Sequence, residues 1–121
     1  MRSAAALVLV LSFFAGAPVY AHHSTAMYDM AKVITVRGVV KSFIWTNPHS
    51  RIFLEVKDDK GNVQEWLIEL MSLTQLKTYG WTPDMVKPGD VITCTGGRAK
   101  DGSPAMLTNM LRLADGRLIR S

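Results

Sequence analysis

The sequence predicts a mainly β domain of five short strands, with one short helix between the third and the fourth. Three observations carry that expectation. Beyond Val33, apolar and polar residues alternate with a period of two in short runs, the pattern of half-buried strands. Turn signals separate the runs: Asp58-Asp59-Lys60-Gly61-Asn62, Lys87-Pro88-Gly89-Asp90 and Asp115-Gly116. Ser72-Leu73-Thr74-Gln75 has the form of a capping box, which marks the start of one helix. A chain of 121 residues, 48% hydrophobic and 20% charged, has room for one domain and one core, which excludes a multidomain enzyme.

The chain opens on a targeting pattern. Arg2 gives a positive start, Ala4 to Gly16 form an apolar stretch, and Val19-Tyr20-Ala21 puts aliphatic and small residues at the minus-three and minus-one positions of a cleavage site. Residues 1–21 therefore read as a signal peptide cut after Ala21. A cut after Ala17 would leave Pro18 first in the product, which signal peptidases disfavour. An uncleaved anchor is the weaker alternative, because Gly16 and Pro18 interrupt a run that barely reaches the roughly 20 residues of a spanning helix. Residues 22–32 read as an N-terminal leader and 33–121 as the folded domain.

The first strand starts at Val33, with Ile34, Val36, Val40 and Ile44 on one face and Thr35, Arg37 and Lys41 on the other. Gly38 inside so long a strand marks a bend or bulge, the device that lets one strand serve both ends of a small barrel. Trp45 to Ser50 form the first long loop. Ile52, Leu54 and Val56 make the apolar face of the second strand, and Trp66, Ile68 and Leu70 that of the third. The helix ends at Gly80. A fourth strand runs from Val91 to Thr95, Gly96 to Pro104 form a glycine-rich loop, and a fifth strand runs from Ala105 to Leu113. Three strands, a helix and two strands are the order of a small OB-like barrel, which leaves few free edges. An open antiparallel sheet with the helix across it is the competing arrangement.

Export and charge narrow the function. Removing residues 1–21 takes away only Arg2 among the charged groups, leaving 13 basic against 10 acidic side chains. The basic residues are scattered singly, which suits a solvated surface and not a phosphate-binding stripe, so no nucleic-acid partner is expected. Nor is a membrane association after cleavage. The expected location is the periplasm or the outside of the cell. Cys94 is alone in an apolar strand and reads as a buried, inert thiol.

Several motifs together resemble an uncharacterised family of exported bacterial small β proteins. They are Ala21-His22-His23-Ser24 with Tyr28-Asp29, Gly38 to Val40, Trp45-Thr46-Asn47-Pro48-His49, Trp66 with Glu69, Gly80-Trp81-Thr82, Lys87 to Asp90, Lys100-Asp101-Gly102 and Asp115-Gly116-Arg117. The resemblance implies export and a small β domain, and it brings no activity to these residues.

Two classes of chemistry remain. In OB-type barrels ligands lie across strands two and three, between the first and fourth inter-strand loops, where Trp45, Asn47, His49, Phe53, Arg98 and Lys100 would gather. That describes a non-catalytic binding or interaction module for a small molecule, peptide or protein. The bland alternative puts Trp45 and Trp66 in the core and Trp81 beneath the helix. The second class is copper binding. His22 becomes the first residue after cleavage, and its α-amine and imidazole chelate a metal, with His23 or His49 supplying a further nitrogen. Residues 22–32 span at most about 33–36 Å, just enough to return to the loop holding His49. The bland alternative leaves His22 and His23 on a leader and His49 hydrogen-bonded to backbone. Zinc patterns are missing, no serine has a nucleophile-elbow setting, and Glu65 and Glu69 read as the solvated side of a strand, so no enzyme is expected.

Overall fold

The computed structural model describes residues 24–121; the expected signal peptide, His22 and His23 lie outside them. A 3-10 turn, Ser24–Met27, leads into β1 (Tyr28–Ile44), followed by β2 (Arg51–Lys57), β3 (Val63–Glu69), α1 (Leu73–Thr78), β4 (Val91–Ala99), β5 (Ala105–Arg112) and β6 (Leu118–Arg120). The sheet order is β3-β2-β1-β4-β5-β6, and a further pairing of β3 with β5 closes five of the six strands into a ring. That closing contact is parallel, Leu67 opposite Ala105 and Glu69 opposite Leu107, whereas the other pairings are antiparallel.

β1 serves both sides of the ring: Val39 to Ile44 pair with β2, and Tyr28 to Val39 pair with β4. The strand begins five residues earlier than the alternation suggested, so 28–32 belong to it and not to a leader. A register shift between Asp29 and Val33 hides this start, because the extra residues break the period of two. A second shift, between Val40 and Ser42, inverts the strand's faces. Ile44, expected inside, is 38% exposed, and Phe43 packs on the core instead. Gly38 marks a close crossing and no bulge: a Cβ there would stand 2.4 Å from the Glu55 carbonyl oxygen.

β4 also runs longer than expected, straight through Gly96 and Gly97 to Ala99. These glycines are not loop residues. A Cβ on Gly96 would come within 2.0 Å of the Leu107 carbonyl oxygen, and one on Gly97 within 2.7 Å of the Asp29 carbonyl oxygen, so their missing side chains let β5 and the start of β1 close on β4. The sixth strand, β6, was not expected; at three residues it is too short to show a period.

The main core fills the ring with Val36, Val40, Ile52, Leu54, Trp66, Ile68, Ile92, Cys94, Met106 and Leu111. Leu76 of α1, Trp81 and Val86 cap one end, and the Trp81 indole N–H donates to the Arg120 carbonyl at 2.6 Å. Only half of the expected capping box forms. Ser72 Oγ accepts the Gln75 N–H at 3.4 Å, but the Gln75 amide donates to the Tyr79 hydroxyl; the Leu73 N–H is met by Asn47 Oδ1 at 3.0 Å.

Candidate functional site

Alternation along β3 turns Ile68 inward and Leu67 and Glu69 to the opposite face. There, Tyr28, Ala105 and Leu107 form a second, smaller buried cluster with Leu67 and Ala99 against it. Tyr28 is the first residue of β1, opposite Ala99, and its ring lies over the β3–β5 seam. Its hydroxyl donates to Glu69 Oε2 at 2.7 Å. Glu69 Oε1 lies 4.0 Å from His49 Nδ1, and that nitrogen bonds the Leu70 carbonyl oxygen at 2.8 Å. A carbonyl only accepts, so Nδ1 carries the ring proton.

This Tyr28–Glu69–His49 corner is partly buried: the His49 and Glu69 side chains are 21% and 17% exposed, against 46% for Glu65. Glu69 therefore does not belong to the solvated side on which the sequence put it. Burial raises the Tyr28 phenol well above its ordinary value, and the Glu69 carboxylate, which accepts its proton, raises it further. Beside the corner, a cleft of about 320 Å³ is walled by Met27, Tyr28, Leu67, Lys100, Ser103 and Ala105. A second cleft, about 410 Å³, lies over Gly38, where the exposed Val39, Val63 and Val91 sit among Arg37, Glu55 and Lys57.

The residues expected to bind a ligand fall into two groups. Asn47 and His49 stand in the β1–β2 loop at the end of β3, where Asn47 caps α1. Trp45 packs edge-on against Phe43 at 5.9 Å and against the main core. Phe53 is half-buried on β2, opposite Leu67. Arg98 and Lys100 stand at the β4–β5 hairpin. The Arg98 guanidinium lies 5.4 Å over the Trp66 ring and donates to the Gly102 carbonyl, and the Lys100 N–H donates to the Met27 carbonyl at 2.9 Å. Tyr28 joins the two groups, touching Glu69 on one side and Ala99 on the other. Sequence reasoning gave Tyr28 no role; the Tyr28-Asp29 motif was the only signal for it.

Among the described residues no three His, Cys, Asp or Glu side chains come together to hold a metal ion, and His49 is the one of the three expected ligands that is described. Cys94 is fully buried, which pushes its thiol up to about 12. No described helix is long and apolar enough to cross a membrane.

The fold defines a class first: a mainly β ring of short strands with one helix. Among solved structures it is similar to the mitochondrial single-stranded DNA binding protein Rim1 from S. cerevisiae, with a TM-score of 0.50 over 68% of this chain and 93% of that one. At 12% identity the likeness is one of fold alone. The chain belongs to a family of unknown function, DUF6152, whose pattern matches residues 10–108. No curated protein matches it.

Proposed function

We propose that this chain is an exported, non-catalytic binding module on an OB-type barrel, acting in the periplasm or outside the cell, and that its ligand site is the cleft beside the Tyr28–Glu69–His49 corner. The supporting observation is that an apolar floor, Leu67, Ala99 and Ala105, meets the side of Tyr28, whose hydroxyl is fixed by Glu69, with Lys100, Asp101 and Ser103 also lining the cleft. Few, fixed polar groups over apolar lining are the usual make-up of a small-ligand site. Ring closure through a parallel β3–β5 pair supports the OB assignment. Export rests on the pattern of residues 1–21.

Nucleic acid is the partner least suited to this face. A single strand needs a positive groove with stacking rings, but across β2 and β3 Glu55 stands opposite Glu65 and Arg51 opposite Glu69, so three of these four charges are acidic. The test is an amide-shift screen of the metal-free protein against small amphipathic molecules and short peptides, with an oligo-dT control. Shifts should gather at Tyr28, Leu67 and Ala99 to Ala105, and Lys100→Glu should weaken them. Shifts confined to Val39, Val63 and Val91, or oligo-dT binding at moderate salt, would overturn the assignment.

A further inference from the structure

Basic side chains that stand singly in the sequence come together at one place in the fold. Lys32, Arg98 and Lys100 line a cleft of about 350 Å³ with Asp29, Ile34 and Gly102. Asp29 is paired with Arg98 and Val33 with Gly97, so Met30 to Lys32 bulge out of the β1–β4 ladder and carry Lys32 to the end of β4. Asp29 sets that bulge: its Oδ1 accepts the Ala31 and Lys32 N–H groups, each at 3.2 Å. One oxygen of the cleft's single acid is thereby committed to backbone.

Two features separate these three cations from an ordinary solvated face. The Arg98 guanidinium is held in place, 5.4 Å over the Trp66 ring and donating to the Gly102 carbonyl at 3.1 Å, which leaves further donors of its planar fork for a ligand. Lys32 and Lys100 are exposed and form no ion pair among the described residues, whereas Lys41 pairs with Glu65 and Arg117 with Asp115. The cleft also adjoins the one beside Tyr28, because Ala99 and Lys100 line both. The acid of that neighbouring cleft, Asp101, turns Oδ1 to the Ser103 N–H at 2.9 Å. Both acids thus serve their own turns, and the cations are left in excess beside an apolar floor.

We propose that the ligand of the Tyr28 cleft is an organic anion with an apolar body: the body lies on Leu67 and Ala105, and a carboxylate or phosphate head is held by Arg98, Lys100 and Lys32. The Arg98 fork matches either oxyanion in geometry, and the two lysines add charge at the rim. This ligand class rests on the cleft assignment of the proposed function and goes beyond it in naming the chemistry of the head group and the residues that hold it.

The experiment titrates the purified protein with octanoate, octyl phosphate, neutral 1-octanol and inorganic phosphate, following amide shifts. Octanoate and octyl phosphate should shift Tyr28, Leu67 and Ala105 together with Lys32 and Arg98. They should bind at least about tenfold more tightly than 1-octanol, the worth of one charge-assisted hydrogen bond, and the tighter of the two identifies the head. Lys32→Glu, at an exposed position, should weaken octanoate about tenfold and leave 1-octanol unchanged. Arg98→Gln should do the same, and if circular dichroism shows that it has unfolded, Lys32→Glu still decides. Equal affinity for octanoate and 1-octanol, or octanoate binding unaltered by Lys32→Glu, would overturn the anionic head while the cleft assignment stood. Inorganic phosphate bound as tightly as octyl phosphate would overturn the apolar body. No shift at Tyr28, Leu67 or Ala105 with any probe would overturn the ligand class and the cleft together.

Discussion

Tyr28→Phe isolates the bond that ties the start of β1 to β3. The ring stays, so the apolar contacts with Leu67, Ala105 and Leu107 are kept and only the hydroxyl is lost. That hydroxyl donates to a carboxylate at 2.7 Å, a charge-assisted bond, and such bonds contribute about 1.5–3 kcal/mol. Glu69 keeps some solvent access, with 17% of its side chain exposed, so water replaces part of the loss and the lower end applies, about 1.5 kcal/mol. For a domain of this size that is a fall of about 6–12 °C in Tm. Urea unfolding followed by the fluorescence of buried Trp66 and Trp81 measures it directly, with the slope m expected unchanged. The Lys100 amide, bonded to Met27, should exchange faster with solvent in the variant. A double-mutant cycle with Glu69→Gln should return a coupling of about 1 kcal/mol or more. A loss under about 0.3 kcal/mol with Lys100 exchange unaltered would refute the reasoning, because it would mean the strand start is held by its ring alone.

Other consequences are equally direct. Asn47→Ala removes the acceptor for the Leu73 N–H and should cost about 1 kcal/mol, with faster exchange confined to the first turn of α1. Gly96→Ala forces a Cβ to within 2.0 Å of a backbone oxygen on β5, so a loss of about 3 kcal/mol or outright misfolding is expected in a thermal melt. Cys94 gives an alkaline signature: burial lifts its pKa from 9.0 to about 12, so the folded chain keeps a proton that the unfolded chain loses. Its contribution is fully present below pH 9 and is lost at about 1.4 kcal/mol per pH unit as the pH rises toward 12. The pH–stability curve of Cys94→Ala should be flatter in that window, and parallel curves would contradict the burial of the thiol.

The sequence was most legible where structure follows from neighbours along the chain. Alternation at Ile52, Leu54, Ile68 and Leu70 read out the buried faces of β2 and β3, and all four are fully buried. Ser72 marked the start of α1, and Gly80, at φ +91, marked its end, because caps and turns depend on local backbone geometry. Legibility failed where two distant strands approach. Gly96 and Gly97 have loop composition, but they are strand residues because β5 and β1 leave no room for a Cβ. The bulge between Val40 and Ser42 exchanged Ile44 for Phe43 at the core, since inserting one residue reverses every side chain after it.

By itself, then, the sequence determined which side chains are buried along β2 and β3, where most of the turns fall, the order of three strands, a helix and two more, and that Cys94 is a core residue. Those properties come from periods and turn chemistry that a handful of adjacent residues contain. The tertiary structure alone decided that β3 and β5 close the ring, that β1 starts at Tyr28, and that Tyr28, Glu69 and His49 meet. Tyr28 and Glu69 lie 41 positions apart and His49 and Leu70 lie 21 apart. They are brought together by the curvature and register of the ring, which arise from packing the whole core and leave no periodic mark on any one segment.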